Sequence, residues 1–203
     1  MGHAGAAAAA VRHLGSAPPA PRPVEALPRP ELRCVRDGER APVEQGEFRR
    51  VLGAFPTGVT VITAPSADAS RPPAGFACQS FSSLSLDPPL VCFMVGRTST
   101  TWPRIARAGV FCVNVLGAGQ GDLCRAFAVS GADKFAGVAY DPAPVSGSPR
   151  LAGAAAWIDC AVHAVHTGGD HLVVVGRVTA LGAEEPVEPL LFHRGRFARL
   201  GTG

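Results

Sequence analysis

Residues 75–96 read GFACQSFSSLSLDPPLVCFMVG and contain the pattern that decides the fold. β-rich runs at 75–80 and 90–95 are each of strand length, and a serine-rich segment ending in Asp87-Pro88-Pro89 separates them. Runs this short, bounded by Gly, Pro and Ser, are typical of strands joined by turns. The segment therefore predicts two strands of one β-structure.

Short β-rich runs separated by Gly and Pro continue on both sides of this segment. Further strands are predicted at 58–63, 110–116, 156–166 and 172–181. Short helices are predicted at 44–55, 100–109 and 121–131, the first with Phe48, Val51, Leu52 and Phe55 on one side. Because strands predominate without regular strand–helix alternation, we expect a mainly β fold, an antiparallel barrel with short helical insertions.

The composition changes near residue 42. Residues 1–42 are rich in Ala and Pro, and we expect them to form a disordered N-terminal tail. Residues 43–203 are then one domain. Hydrophobic residues make up 47% of the chain and charged residues 17%, which favours extensive burial and makes a dimer plausible.

Charge and hydropathy exclude several kinds of partner. The net charge of +3 comes from scattered arginines without a basic stripe, so we expect no nucleic acid partner. The longest apolar runs are of strand length, so we expect no membrane span. The six cysteines form no C-x-x-C pair, and the N-terminus has no clear export signal, which favours a cytoplasmic protein.

A glycine-rich segment, VNVLGAGQGDL at 113–123, resembles a dinucleotide-binding turn. The G-x-G-x-x-G fingerprint requires glycine where Asp122 stands, and a carboxylate at that point repels a pyrophosphate. We therefore do not expect a Rossmann-type site.

The segment CAVHAVH at 160–166 places a cysteine and two histidines close together in sequence. On a regular strand, Cys160 and His166 would face one side and His163 the other, so we expect no metal site. The only lysine of the chain, Lys134, is interpreted as an ordinary solvated charge.

Two loops are candidates for ligand binding. In the loop after Gly75, the side chains of Gln79, Ser80, Ser82 and Ser83 offer donors and acceptors, although a serine-rich turn is also typical of a solvated loop. The turn at 168–170 delivers His171 to the start of an apolar strand; this histidine is either functional or a cap of its own turn.

Seven separated motifs resemble the flavin reductase family with the FMN-binding split-barrel fold. They are FPTGVTVIT, GFACQSFSSLSLDPPLV, RTSTTW, FCVNVLGAGQGDLCRAF, DKFAGV, WIDCAVHAVHTGGDH and PLLFHRG, and the resemblance runs from about residue 48 to 200. Within the family, the chain is most similar to reductase components of two-component aromatic hydroxylases, with a leaning towards steroid ring hydroxylation. The resemblance implies a split antiparallel barrel of Greek-key type.

The resemblance also implies an activity and partners. The chain would transfer hydride from NADH, or NADPH, to FMN or FAD, and a separate flavin-dependent oxygenase would use the reduced flavin. It would form a homodimer and need no metal. The alternatives are a non-catalytic flavin-binding module and an oxidase with tightly bound flavin on the same barrel.

The resemblance assigns roles to named residues. His171 is the one candidate catalytic residue, lying near the ring face where hydride passes. In the family, a basic residue stands where this chain has Ala126, with Arg125 beside it. The implied cofactor-binding residues are Pro73, Ala74, Gly75, Phe76, Ala77, Gln79, Ser80, Met94, Val95, Gly96, Thr100, Thr101, Ala126 and Phe127 for the flavin, with Phe192, His193, Arg194 and Gly195 for the nicotinamide.

Overall fold

The computed structural model describes residues 42–68, 70–131 and 133–200, so the predicted tail lies, except for residue 42, outside the described residues. The helices are α1 Gln45–Leu52, α2 Trp102–Ala108 and α3 Gly121–Ala128. The strands are β1 Thr57–Gly58, β2 Thr60–Ala64, β3 Ala74–Cys78, β4 Ser82–Leu86, β5 Pro89–Gly96, β6 Val110–Val115, β7 Tyr140–Pro142, β8 Pro149–Leu151, β9 Ala156–Gly168, β10 His171–Ala183, β11 Leu191–His193 and β12 Arg196–Ala198.

Antiparallel pairing dominates the molecule. Seven strands form one sheet in the order β3-β2-β6-β9-β10-β5-β4, three form a sheet in the order β1-β11-β12, and β7 pairs with β8. The mainly β fold with few helices is as predicted, and the six predicted strands correspond to β2, β3, β5, β6, β9 and β10. The serine-rich segment 82–86, interpreted as part of a ligand loop, is instead strand β4, paired with β5.

The large sheet curls so that the end of β3 approaches β5. No ladder joins these two strands; side-chain contacts with the Met94 backbone do, among them one from Cys78 Sγ to the carbonyl at 3.8 Å. Ser80 Oγ donates to the Met94 carbonyl at 3.0 Å and accepts from the Met94 amide at 3.1 Å. The barrel is therefore split between β3 and β5, and this split positions the site described below.

Aromatic rings fill the interior of the curled sheet. Phe93 is fully buried and makes edge-to-face contacts with Phe111, Phe76 and Trp102, with ring centroids 5.2, 5.9 and 6.2 Å apart. The ring of Phe111 occupies the space beside Gly176 of β10, so that a Cβ on this glycine would lie 3.0 Å from Cε1 and closer still to Cζ. Glycine at this position is thus required by packing.

Helix α1 differs from the expected arrangement in its burial. Glu44 caps it by accepting from the Glu47 amide at 2.9 Å, as the predicted helix requires. Its apolar residues do not pack inward, however: Phe48 and Leu52 are more than half exposed, and Phe55 just beyond the helix is 73% exposed. The chain carries an apolar surface here that no other described element covers.

A bulge in β9 corrects the predicted side-chain alternation at 160–166. Val175 pairs with Ala164 while Gly176 pairs with Val162, so His163 is an extra residue that shifts the strand's phase. Cys160 is buried, whereas His163 and His166 are both exposed. The prediction that Cys160 and His166 share a face is therefore wrong.

Candidate functional site

A cavity of about 580 Å³ occupies the split between β3 and β5. Its walls come from the end of β3, the end of β5, the loop before α2, the end of α3 and the start of β10. The lining residues are Phe76, Ala77, Cys78, Gln79, Ser80, Met94, Val95, Gly96, Thr98, Ser99, Thr100, Thr101, Phe127, Ala128, Ser130, Lys134 and His171.

The floor of this cavity depends on close packing of α3 on β3. Phe127 is fully buried, and a Cβ on Gly75 would lie 2.7 Å from its Cε1. Only glycine lets the aromatic ring sit directly on the strand, which leaves a smooth surface above. Gly75 and its neighbour Ala74 are therefore buried beneath the cavity rather than on its wall.

Hydroxyl groups gather at one end of the cavity. Thr98, Ser99, Thr100 and Thr101 precede α2, and Ser99 Oγ accepts from the Trp102 amide at 3.2 Å, which fixes the loop to the helix. Such hydroxyls both donate and accept hydrogen bonds, as a ribityl chain or a phosphate requires.

Lys134 lies at this same end, and its interpretation as a solvated surface charge is wrong. Its Nζ donates to the Gly75 carbonyl at 3.1 Å and to the Phe127 carbonyl at 3.0 Å. Burial, and then the charge of Arg104, lower the pKa of Lys134. The one lysine of the chain is thus a half-buried cation held at the cavity wall.

His171 begins β10 beside the start of the hydroxyl-rich loop, where it pairs with Gly96 of β5. Its Nδ1 lies 2.7 Å from Asp170 Oδ1, and this hydrogen bond lowers the pKa of Asp170. Because Asp170 engages Nδ1, the other ring nitrogen remains for a ligand; Nε2 lies 4.0 Å from where a Cβ on Gly96 would stand.

Two further cavities adjoin the first through Gln79. One, of about 620 Å³, includes Phe192 and Gly195 with the α3 residues Cys124 and Arg125. The other, of about 580 Å³, includes Phe192, Arg194 and Gly195 together with apolar residues of α1. The β11–β12 hairpin therefore borders the same region of the split as the main cavity.

The structure brings together eleven of the residues assigned from the sequence: Phe76, Ala77, Gln79, Ser80, Met94, Val95, Gly96, Thr100, Thr101, Phe127 and His171. Others lie elsewhere. Pro73 precedes β3, His193 pairs with Arg196 in the β11–β12 hairpin, and Ala126 is exposed on α3. Sequence reasoning missed Cys78, Thr98, Ser99, Ala128, Ser130 and Lys134.

Two further features are absent from the described residues, a cluster of metal-binding side chains and a membrane-spanning helix. Across 42–68, 70–131 and 133–200, no group of three or more His, Cys, Asp or Glu side chains is placed to hold a metal ion. In the part of the chain that the structure describes, no helix has the length and apolar character needed to cross a membrane.

Comparison with known families decides the classification. The family described as flavin reductase like domain matches residues 52–201, which include the whole split barrel and every wall of the main cavity. The chain belongs to the flavin reductase family. The resemblance inferred from the sequence motifs is thereby confirmed.

Individual flavin reductases match over most of the chain. The reductase subunit HsaB of a flavin-dependent monooxygenase from Rhodococcus jostii is 48% identical, over 76% of this chain and 77% of that protein. The structure of nitrilotriacetate monooxygenase component B from Mycobacterium thermoresistibile is 48% identical, with a TM-score of 0.72, over 77% of this chain and 87% of that one. The structure of an NADH:FAD oxidoreductase from Streptomyces globisporus, in complex with NAD and FAD fragments, is 39% identical, with a TM-score of 0.73, over 78% of this chain and 93% of that one.

Proposed function

We propose that this flavin reductase transfers hydride from NADH, or NADPH, to FMN or FAD in the split between β3 and β5, and releases the reduced flavin to a separate oxygenase. The observation that carries the proposal is the cavity itself. It joins an apolar floor on β3 and Phe127 to a hydroxyl-rich end that holds the only lysine of the chain. A flavin nucleotide has a matching arrangement, with a flat ring at one end and a phosphate at the other.

The residues present fit a flavin. The volume of about 580 Å³ lies within the roughly 300–1,000 Å³ typical of ligand sites. A larger residue at 75 would displace the ring of Phe127, which lines the cavity. Gln79 and the backbone of β3 offer donors and acceptors for the pyrimidine edge, and Lys134 offers charge for the phosphate.

The bound flavin supplies the ring that accepts hydride. The residues of the chain bind and orient the two ligands, because hydride transfer between them depends on alignment and needs little proton transfer. Phe192 and Gly195 border the cavity side on which a nicotinamide would enter. His171, oriented by Asp170, stands near the end of β5 and acts as a positioning group.

Replacing His171 with asparagine tests that role. We expect kcat/KM for NADH to fall by roughly tenfold or less, because a positioning contact is lost while the ring chemistry is intact. Loss of a general base costs about 10²–10⁴-fold and would change the pH profile. A fall of that size, with a lost pH limb, would contradict the positioning role; Asp170→Asn serves as the matched variant.

The test of the proposed function is NADH oxidation by the purified protein at constant oxygen, with FMN or FAD added or withheld. The cavity is open to solvent, with Met94 40% exposed on its wall, so we expect flavin to behave as a substrate and turnover to depend on its addition. Absence of turnover with either flavin and either nicotinamide would indicate a non-catalytic flavin-binding module. A yellow colour that survives purification, with turnover independent of added flavin, would favour an oxidase.

The oxygenase partner is proposed by similarity. HsaB of Rhodococcus jostii is the reductase subunit of a flavin-dependent monooxygenase, and it shares 48% of its aligned residues with this chain. We therefore place the chain in a two-component monooxygenase, with aromatic or steroid ring hydroxylation as the partner's reaction. The organic substrate is then selected by the oxygenase, because the reductase handles only flavin and nicotinamide.

A homodimer is proposed from the exposed apolar surface of α1. Phe48, Leu52 and Phe55 line a cavity that also includes Gln79 and Ser80, so a second subunit seated there would border the flavin site. We expect light scattering to give twice the chain mass, and Leu52→Gln with Phe55→Gln to shift the protein towards monomer. Val145→Gln, at another exposed apolar residue, is the control; equal masses for wild type and the double variant would contradict the proposal.

A cytoplasmic location is proposed from the state of the thiols. Cys78, Cys112, Cys124 and Cys160 are buried and free. Burial raises the pKa of Cys112 to about 12, which leaves the thiol unreactive. Free buried cysteines are typical of a reducing compartment.

A further inference from the structure

An arginine-lined cavity lies between α2 and the segment that connects β2 to β3. Its volume is about 180 Å³, and its lining includes Arg71, Arg104 and Arg107 with Ser66 and Asp68. Ligand sites typically exceed roughly 300 Å³, so this cavity suits part of a ligand rather than a whole one.

The charges of this cavity favour an anion. Asp68 is its one carboxylate, and it lies 3.7 Å from Arg71 Nε, so one acidic charge faces three guanidinium groups. Arginine binds phosphate oxygens through its planar fork of N–H donors, and the same plane stacks on a purine ring.

Arg104 is held in place by the backbone. Its Nη2 donates to the carbonyls of Pro72 and Pro73, which immediately precede β3. A guanidinium carries five N–H donors, so these contacts orient the group and leave donors for a ligand. Ordering before binding reduces the entropy lost on binding.

Helix α2 connects the arginine cavity to the hydroxyl-rich loop of the main cavity. Thr100 and Thr101 line the main cavity at the start of α2, and Arg104 lies one helical turn further on. Arg104 binds the carbonyls of 72 and 73, while Lys134 binds that of Gly75, so both cations rest on one short segment. Burial is the largest cause that lowers the pKa of Lys134, and the charge of Arg104 is the next. A cation lowers the pKa of a neighbouring cation in this way.

We propose that Arg71, Arg104 and Arg107 form a subsite for the adenylate half of a dinucleotide, and that FAD supplies it. The inference rests on the proposed function, since it extends a flavin whose first phosphate lies near Thr100, Thr101 and Lys134. FMN ends at that phosphate, whereas FAD continues with a second phosphate, a ribose and adenine. NADH also carries an adenylate, but its nicotinamide is assigned to the side of the split that Phe192 and Gly195 border.

The test is equilibrium binding of FMN and FAD, followed by flavin fluorescence, to wild type and to the double variant Arg71→Gln/Arg107→Gln. Both arginines are exposed, and removing them leaves the Arg104 contacts to the backbone intact. We expect the Kd for FAD to rise about tenfold, from the loss of charged phosphate contacts, while the Kd for FMN stays within about twofold. Arg177→Gln, on the exposed side of β10, is the matched control.

The other outcomes are distinguishable. An unchanged Kd for FAD, or equal rises for FMN and FAD, would overturn the subsite. A raised KM for NADH at saturating FMN, with FAD binding unchanged, would assign the arginines to the nicotinamide dinucleotide and overturn the assignment to FAD. Because binding is measured without turnover, a protein that binds FAD through the subsite and fails to oxidise NADH would refute only the proposed function.

Discussion

Replacing Lys134 with methionine is expected to raise the KM for FMN about tenfold or more and to leave the KM for riboflavin unchanged. Lys134 is held by the carbonyls of Gly75 and Phe127 at the end of the cavity where a flavin phosphate would lie. Its charge is half-buried, and a charge-assisted hydrogen bond in such a setting is stronger than one on the surface. Riboflavin lacks the phosphate, so its binding does not depend on this contact.

Steady-state NADH oxidation with each flavin in turn measures this effect. Lys134→Arg retains the charge and should recover part of the FMN affinity, and Arg177→Met removes an exposed charge elsewhere as the control. If the KM for riboflavin rises as much as that for FMN, the lysine supports the cavity wall and does not bind phosphate.

Replacing Gly176 with alanine is expected to lower the free energy of unfolding by about 2 kcal/mol or more. The added Cβ would meet the fully buried ring of Phe111 and lie 3.3 Å from Cβ of Cys160. Phe111 cannot turn away freely, because it packs edge-to-face on Phe93 at the centre of the barrel. Overpacking of this kind is relieved only by moving strands or rings away from their preferred positions.

Thermal unfolding measures the loss, with an expected decrease in Tm of about 4–8 °C for a domain of this size. Gly58→Ala is the matched control, because a Cβ at that strand glycine would meet nothing within 4 Å. Equal melting temperatures for the two variants would show that the contact between β10 and Phe111 relaxes without cost.

The strands that could be predicted from the sequence are those with the strongest apolar character. β2, β5, β6 and β10 contain runs of Val, Ile, Leu and Phe between turn residues, which is a local signal. β4 was missed because Ser82, Ser83 and Ser85 give it the composition of a turn; its pairing with β5 comes from the tight connection between the two strands. Edge strands of this kind are defined by their neighbour more than by their own residues.

The site was predictable in part for a related reason. Its β3 wall and hydroxyl loop lie in continuous motifs, whereas Lys134 reaches the cavity across 59 residues of sequence to bond Gly75. A single lysine in a loop carries no local signal of such a contact. The bulge at His163 was equally hidden, because it depends on the register of β9 against β10.

The most direct measurement of the central claim is a crystal structure of the protein with FMN. We expect electron density for the ring over Phe76 and Ala77 in the split between β3 and β5, with the phosphate within hydrogen-bonding distance of Lys134 and the hydroxyls of Thr100 and Thr101. Flavin density located elsewhere, or a phosphate out of reach of both Lys134 and the hydroxyls of Thr100 and Thr101, would contradict the account.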